Sequence, residues 1–339
     1  MSEANLQVVL ASRPAARVEE SNFRFVEAPV AAPRDGECVV RVDWLSLDPY
    51  MRGRMNEGKS YAARVEVGEV MVGGTVGTVV ASRHPKFAAG DRVLGALGWQ
   101  RYAVSDGQGL MTLPDPRLPE TAWLGAAGMP GITAWMGLGQ IGAPKAGETV
   151  VVSAASGAVG SVAGQLARLA GCRAVGIAGG AAKCDYVVKE LGFDACIDYK
   201  AGPVDVALKA AAPSGVDIYF DNVGGEILDA VLRRTNTGAR IPLCGLISGY
   251  DGAEIPIRNV FSLLVNRVRL QGFIVSDRMD LWPVAMKELA GHVAAGRLKY
   301  RETIAHGLES APRAFIGMLK GENFGKQLVR VSDTRPDRP

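Results

Sequence analysis

Histidine and aromatic side chains are scarce in this 339-residue chain, with three histidines and Phe, Trp and Tyr together at 6%. His84, His292 and His306 lie far from one another and from every cysteine, so the sequence offers no zinc-type ligand cluster. The five cysteines, Cys38, Cys172, Cys184, Cys196 and Cys244, are odd in number and widely spaced, without a C-x-x-C, which casts each as a small buried hydrophobe. An excess of charge is also missing. Subtracting 35 Asp and Glu from 38 Lys and Arg leaves +3, too little to specify nucleic acid or an anionic membrane surface, although a small anionic ligand stays compatible. No apolar run reaches the ~18 residues of a membrane span. The opening MSEANLQ has neither a basic n-region nor an apolar h-region. The expectation is a soluble cytoplasmic protein with no metal, no nucleic-acid partner and no membrane association.

What the chain has is an ordinary globular composition, 48% apolar and 22% charged, with 42 glycines that imply many tight turns. Its length exceeds what one core sustains, so two domains are expected. Up to about residue 124 it reads as strands and turns: β-rich runs at 8–10, 38–42 and 76–81 are separated by Ala32-Pro33 and Asp35-Gly36. Within this mainly β region WLSLDPYMRGR, residues 44–54, reads as an exposed turn after a strand. Tyr50 there is either a tyrosine packed on its own turn or a phenol lining a site. Residues 120–138 are small and apolar, but Gly128, Pro130 and Gly131 interrupt any single helix, which suits a bridge between domains.

Beyond the bridge, strands and helices alternate, the pattern of a parallel sheet with covered faces. TVVVSAASGAVG, residues 149–160, begins that alternation. Val150, Val151 and Val152 suit a strand buried on both faces. Ala155, Gly157 and Gly160 then form an A-x-G-x-x-G variant of the dinucleotide fingerprint. Val162, Leu166, Leu169 and Ala170 continue at helical spacing, and a further strand at 173–178 completes a βαβ unit. The small residues let backbone amides approach a pyrophosphate at the helix N-terminus, where unpaired N–H groups and the helix dipole favour an anion. A helix at 181–191, with Cys184, Val187, Val188 and Leu191 on one face, and strands at 216–220, 239–244 and 270–275 extend a six-stranded doubly wound sheet. A helix at 280–295 and a final strand at 327–331 follow, and the terminal SDTRPDRP is expected to fray.

Cofactor choice is written where the second strand of such a sheet ends, because an acid there holds the ribose 2′-hydroxyl of NAD. Here the chain reads Ala178-Gly179-Gly180-Ala181-Ala182-Lys183, with no acid and a cation one turn on, so electrostatics favour NADP. Lys183 is otherwise a solvated helix lysine. Two further strand ends are polar, Asp221-Asn222-Val223-Gly224-Gly225 and the run from Cys244 through Gly245, Ile247 and Ser248 to Tyr250, readable as turn chemistry or as cofactor contacts. No Ser/His/Asp order or close carboxylate pair recommends itself, which leaves hydride transfer by a bound nicotinamide as the available chemistry.

Seven motifs in order then resemble the zinc-independent medium-chain dehydrogenase/reductase family, in its NADP-dependent alkenal and prostaglandin reductase branch. They are SLDPYMR at 46–52, AASGAVG at 154–160, Lys183, LGFD at 191–194, YFDNVGG at 219–225, C-G-x-I-S from Cys244, and G-M-L-K-G-x-N-x-G-K at 317–326. The resemblance implies an α/β fold: a Rossmann doubly wound parallel sheet at 125–299 binding NADP(H), plus a GroES-like mainly β domain from 1–124 and 300–339. It implies that Gly157, Ala158, Val159 and Gly160 hold the pyrophosphate, and that Gly180, Lys183 and Tyr199 surround the adenosine end. It further implies that Asn222, Cys244, Gly245, Ile247, Ser248, Tyr250, Phe273, Ile274, Val275 and Asn323 complete the cofactor site, with Thr133 near the nicotinamide. Tyr50 and Tyr250 resemble the tyrosines that face a substrate carbonyl. The run Gly180-Ala181-Ala182 departs from the more polar Ser-Asp-Glu-like run of many relatives. The implied activity is reduction of the C=C bond of α,β-unsaturated ketones and aldehydes by a homodimer, against the alternatives of a quinone reductase and a non-catalytic NADPH-binding protein.

Overall fold

The computed structural model describes residues 4–58 and 60–332, and the chain divides into two compact units, Met1–Leu124 with Glu302–Pro339, and Gly125–Arg301. The fraying expected of the C-terminal tail concerns residues 332–339, all of which but Ser332 lie outside the described residues. In the first unit β1 (Ala4–Leu10) and β2 (Phe23–Pro29) form an antiparallel pair. The main strand is β3 (Cys38–Leu47), with β-branched and apolar residues such as Val40, Val42 and Leu45 fully buried. It pairs antiparallel with β4 (Thr75–Ser82) and β6 (Tyr102–Ser105), and β4 continues the sheet through β5 (Arg92–Gly95) to β7 (Met111–Thr112). Gly77 on β4 is required by close approach, because a Cβ there would lie 2.3 Å from the Arg41 carbonyl oxygen.

The strand that was expected to end at Val42 runs on to Leu47, so residues 44–54 are not an exposed turn. Ser46 and Asp48 are buried, and a short helix, α1 (Tyr50–Arg54), starts at Tyr50. The cause lies at the other end of the sequence. Lys326 reaches the Leu47 carbonyl at 2.6 Å and the Asp48 carboxylate at 2.7 Å, which pins the segment down.

On the way into the second unit the bridge is interrupted as expected, a 3-10 turn at Glu120–Leu124 giving way to turns before a second helix, but Pro130 and Gly131 lie inside that helix and do not break it. Gly128 is the N-cap of α2 (Met129–Met136), and Pro130 sits in the first turn, where its missing N–H costs nothing. Then come β8 (Thr149–Ser153), α3 (Gly160–Leu169), β9 (Arg173–Ala178), α4 (Ala181–Lys189), β10 (Ala195–Asp198), α5 (Val204–Ala211) and β11 (Val216–Phe220). They are followed by α6 (Gly225–Leu232), β12 (Thr235–Leu243), α7 (Val260–Val265), β13 (Arg269–Gly272) and α8 (Trp282–Ala294). The six strands are all parallel, in the order β10-β9-β8-β11-β12-β13. That is the 3-2-1-4-5-6 order of a doubly wound dinucleotide fold. β10 is the strand the periodicity did not locate.

Val150, Val151 and Val152 are fully buried, each worth about 1.5–3 kcal/mol of apolar burial. Val151 packs with Val175, Ile177 and Ile197 of neighbouring strands and with Leu208 of α5 and Val231 of α6. On α3 Val162 and Leu166 are buried, while Leu169 and Ala170 are exposed, because burial stops at Ala167, before the last turn. On α4 Val187 is buried and Cys184 partly so, but Val188 is 37% exposed, one residue off the buried stripe.

The chain then re-enters the first unit. β14 (Glu302–His306) and β15 (Lys326–Arg330) are parallel to each other, and β15 pairs antiparallel with β3, completing a seven-stranded sheet. Between them α9 (Ala311–Leu319) brings Phe315 edge-on to Trp99 at 5.5 Å, and Phe23, stacked on Trp99 at 5.5 Å, also meets Phe315 edge-on at 6.3 Å. Such aromatic pairs add about 0.5–1.5 kcal/mol beyond the area they bury. Both ends of the sequence thus share one core.

Candidate active site

In a doubly wound sheet ligands bind beyond the carboxyl ends of the strands where the order reverses, here between β8 and β11. β8 ends in a turn in which Ala154 adopts φ +49°, an uncommon left-handed conformation for a residue with a side chain. The Gly157 N–H donates to the Ala154 carbonyl at 2.9 Å. A Cβ on Gly160 would lie 2.4 Å from that same oxygen, so only glycine closes the turn. The first helical bond runs from Ser161 N–H to the Gly157 carbonyl, which puts the amides of Ala158, Val159 and Gly160 ahead of it, and residues 157–159 are partly exposed. This rim can receive an anion.

Across the switch point Asn222 ties the two strand ends together. Its side-chain amide donates to the Ser153 carbonyl at 2.7 Å, and its backbone N–H donates to Ser153 Oγ at 2.8 Å. Asp221, fully buried, organises the rest of the loop. Its Oδ1 accepts from Tyr219 Oη at 2.8 Å, Ser153 Oγ at 3.2 Å and the amides of Val223 and Gly224 at 2.9 Å. Burial nevertheless pushes its carboxyl above the usual range. The Asp221 carbonyl in turn accepts from the amides of Cys244 and Gly245, which launches the next loop. Burial, with the Asp221 carboxyl nearby, pushes the Cys244 thiol up to about 12. In that loop Ile247 and Ser248 start a single turn held by the Asn222 and Val223 carbonyls, and Ser248 Oγ donates to the Val223 carbonyl at 2.6 Å. Tyr250 folds back towards Gly245, its hydroxyl 3.6 Å from where a Gly245 side chain would begin.

At the end of β9 Gly180, at φ +98°, opens α4, and its N–H donates to Asp198 Oδ1 at 2.8 Å. The same oxygen accepts from the Lys200 amide at 3.0 Å. These amides lower the Asp198 pKa below the carboxylate range. An acid thus comes near from the third strand, yet it is engaged with backbone amides. Tyr199 lies over Gly179, its ring atoms 2.8 Å from where a Cβ would sit. Lys183 is partly buried, and burial first, then the like charge of Lys200, holds its ammonium below the ordinary lysine value. Two cations that disfavour each other, beside an aromatic face and an N-capping glycine, fit a phosphate-bearing group.

The remaining expected residues belong to other elements. Thr133 is buried on α2 and donates its hydroxyl to the Met129 carbonyl at 2.7 Å. The Phe273 ring packs edge-on to Phe220 and fills the space a side chain on Gly137 would need. That turn ends β13 at Gly272, short of the expected Val275, and leaves Ile274 and Val275 partly exposed after it. Tyr50 and Asn323 belong to the first unit, where Asn323 donates to the Gly325 carbonyl at 2.8 Å. Tyr50 is partly buried against the Met51 and Phe315 cluster, and burial, with Asp48 nearby, pushes its phenol well above the usual range. It stays protonated as a donor. Beneath it lies a buried set that sequence reasoning missed: Ser46 donates to Asp48 Oδ2, and Lys326 pairs with Asp48 Oδ1. Among the described residues no group of three or more His, Cys, Asp or Glu could hold a metal ion.

Profiles of known families match two stretches: one described as the N-terminal domain of oxidoreductase covers residues 6–113, and one described as zinc-binding dehydrogenase covers residues 158–291. The NADPH-dependent curcumin reductase of Escherichia coli (strain K12) is 49% identical over 97% of this chain and 98% of its own. The 2-alkenal reductase (NADP(+)-dependent) of Nicotiana tabacum is 41% identical over 97% of this chain and 98% of its own. Among solved structures, CurA in complex with NADPH from Vibrio vulnificus superposes with a TM-score of 0.92 at 48% identity, over 97% of this chain and 100% of that one. By its doubly wound sheet, its glycine-closed strand-to-helix turn and identity of this extent, the chain belongs to the medium-chain dehydrogenase/reductase family, alongside the curcumin, alkenal and prostaglandin reductases.

Proposed function

We propose that the protein is an NADPH-dependent reductase of the carbon–carbon double bond of α,β-unsaturated ketones and aldehydes. The observation that carries the cofactor half is the desolvated Lys183 beside Lys200 at a strand end without a free acid. Lys183 and Tyr199 hold the adenosine 2′-phosphate, the amides of Ala158, Val159 and Gly160 hold the pyrophosphate, and Asn222 and the loop from Cys244 to Tyr250 line the rest. NADPH, when bound, supplies the hydride. The reaction type follows the relatives, an NADPH-dependent curcumin reductase and a 2-alkenal reductase. Reducing a conjugated double bond develops negative charge on the carbonyl oxygen, and a phenol that remains protonated stabilises such an oxyanion by hydrogen bonding. Tyr50 and Tyr250 take that role, and water delivers the α-proton. We further infer a homodimer. Val260, Phe261, Leu264 and Val265 of α7 are 55%, 74%, 73% and 48% exposed next to the edge strand β13, an apolar face of the kind a second copy covers.

The test is turnover of a panel of enones and enals with C4-deuterated NADPH, the label located by NMR. Deuterium on the β-carbon of a saturated ketone is expected. Label on a carbinol carbon, turnover of quinones alone, or NADPH binding without turnover overturns the reading.

A further inference from the structure

Of the five cysteines, all expected as buried hydrophobes, Cys38 and Cys172 are buried, whereas Cys184, Cys196 and Cys244 are only partly so, and two of these three meet. Cys184 on α4 and Cys196 on β10 are both partly exposed, and the Cys196 thiol donates to Cys184 Sγ at 3.2 Å. The pair sits beside Gly176, opposite Cys196 in the parallel register, where a Cβ would lie 3.1 Å from Cys196 Sγ. A side chain there would crowd the Cys196 sulfur, and Ala155 and Val187 more closely still, at 2.9 Å. Cys184 immediately follows Lys183, and Cys196 precedes Asp198 by two residues, so the dithiol joins the two segments that carry the cation cluster at the end of β9.

We propose that Cys184 and Cys196 are a reversible oxidation site, closed to an intramolecular disulfide by a low-molecular-weight disulfide such as oxidised glutathione. The hydrogen bond sets the order. Because Cys196 donates to it, Cys184 is the readier of the two to form a thiolate, although burial holds it above the ordinary thiol value, so it attacks the external disulfide and releases one glutathione thiol. Cys196 then gives up its proton, attacks Cys184 Sγ in the mixed disulfide and releases the second glutathione thiol. Two protein thiols are oxidised, one glutathione disulfide is reduced to two thiols, and both thiol protons end on glutathione. Forming the bond brings the sulfurs from 3.2 Å to about 2.05 Å, drawing α4 onto β10 by roughly an ångström. Lys183 moves with Cys184 while Gly180 stays tethered to Asp198. The oxidised form therefore binds the 2′-phosphate less well, a consequence that rests on the cofactor reading given above.

The experiment compares the full chain reduced with dithiothreitol and equilibrated with oxidised glutathione. Intact mass is expected to fall by two hydrogens with no glutathione adduct, and a peptide map to show Cys184 joined to Cys196. NADPH affinity should weaken about tenfold, the equivalent of roughly 1.4 kcal/mol, with NADH affinity unchanged and both effects reversed by dithiothreitol. A Cys184→Ser/Cys196→Ser variant should keep its NADPH affinity under oxidant. Two free thiols at equilibrium, a stable glutathione adduct in place of the bridge, or a bridge that leaves NADPH affinity unchanged would overturn the proposal. A reduced wild-type protein that does not bind NADPH removes the cofactor reading and this coupling with it, whereas mass and peptide map decide the bridge independently of that result.

Discussion

Each unit buries one carboxylate just past a strand end that leads into candidate site residues, and the two are satisfied in opposite ways. Asp48, 5% exposed, meets a cation: Lys326 donates at 2.7 Å from 278 residues away, and Ser46 donates to the other oxygen. Asp221, fully buried, meets only neutral donors, two hydroxyls and two amides, all on Oδ1, while Oδ2 has no hydrogen-bond partner. A cation neutralises the charge but must itself be desolvated, and Lys326 is accordingly held below the ordinary lysine value. Neutral donors leave the charge in place and spread it over a turn, and Asp221 is accordingly pushed upwards by burial. The first arrangement welds distant chain segments. The second shapes a local loop that presents Asn222.

The largest expected effect comes from breaking the weld. Lys326→Met strands Asp48 as a buried, unpaired charge and should cost about 3–5 kcal/mol in urea unfolding. Asp48→Asn added to Lys326→Met removes that charge and should restore most of the loss. A single variant as stable as wild type would show that the pair contributes nothing. Asp221→Ala is the matched cut in the other unit. It leaves the Val223 and Gly224 amides without their acceptor and should cost about 3 kcal/mol. Its mark is regional: hydrogen exchange should speed up at the ends of β11 and β12 and stay unchanged in β3 and β15.

How far the sequence could be read follows the same divide. The parallel unit was legible because its information is local: three valines, A-x-G-x-x-G and a strand at 173–178 lie within thirty residues of one another, and β9 and β11 fall at the expected bounds. β10 escaped because ACID carries too short an apolar pattern to separate from the turns around it. In the first unit WLSLDPYMRGR read as exposed because its polar residues look like turn chemistry, and nothing nearby announces a lysine 278 residues on that buries Asp48. The Asp198 tether and the Cys184–Cys196 contact were likewise invisible, since both depend on β10 being placed beside β9.

Lys183→Ala probes a partly buried cation that faces a second cation, Lys200, in place of a carboxylate. Losing one charge-assisted contact should shift the NADPH-over-NADH preference in kcat/KM by about 1.5–3 kcal/mol. Burial and Lys200 lower the Lys183 pKa in the free enzyme. The attraction for a 2′-phosphate is present while the ammonium is protonated and is lost as pH rises through that lowered value. The NADPH profile of kcat/KM should therefore fall on the alkaline side earlier than an ordinary lysine dictates. The NADH profile and the Lys183→Ala variant should both lack that limb, and Lys200→Ala should move it to higher pH. Identical profiles for the two cofactors would remove Lys183 from the site.

Tyr219→Phe makes the finest cut, because it deletes one of the four donors to Asp221 together with the hydroxyl's contact with Ser153. The ring is fully buried, so the phenylalanine keeps its packing, and the hydroxyl is a dependable donor since burial holds its pKa well above the usual tyrosine value. Losing this single bond to a charged acceptor should cost about 1 kcal/mol near neutral pH. The pH dependence of that loss separates a hydrogen bond to a carboxylate from simple repacking. The Tyr219 bond lowers the Asp221 pKa, so its contribution exists where Asp221 is ionised and is lost as pH falls through the Asp221 pKa of the folded protein. That pKa lies above the ordinary aspartate value, which puts the window on the alkaline side of normal carboxylate titration. The stability difference between wild type and Tyr219→Phe should therefore shrink on acidification before ordinary carboxylates protonate. A difference that stays constant across that window would mean that Asp221 does not change charge there, and that neutral donors alone keep a buried carboxylate in one charge state.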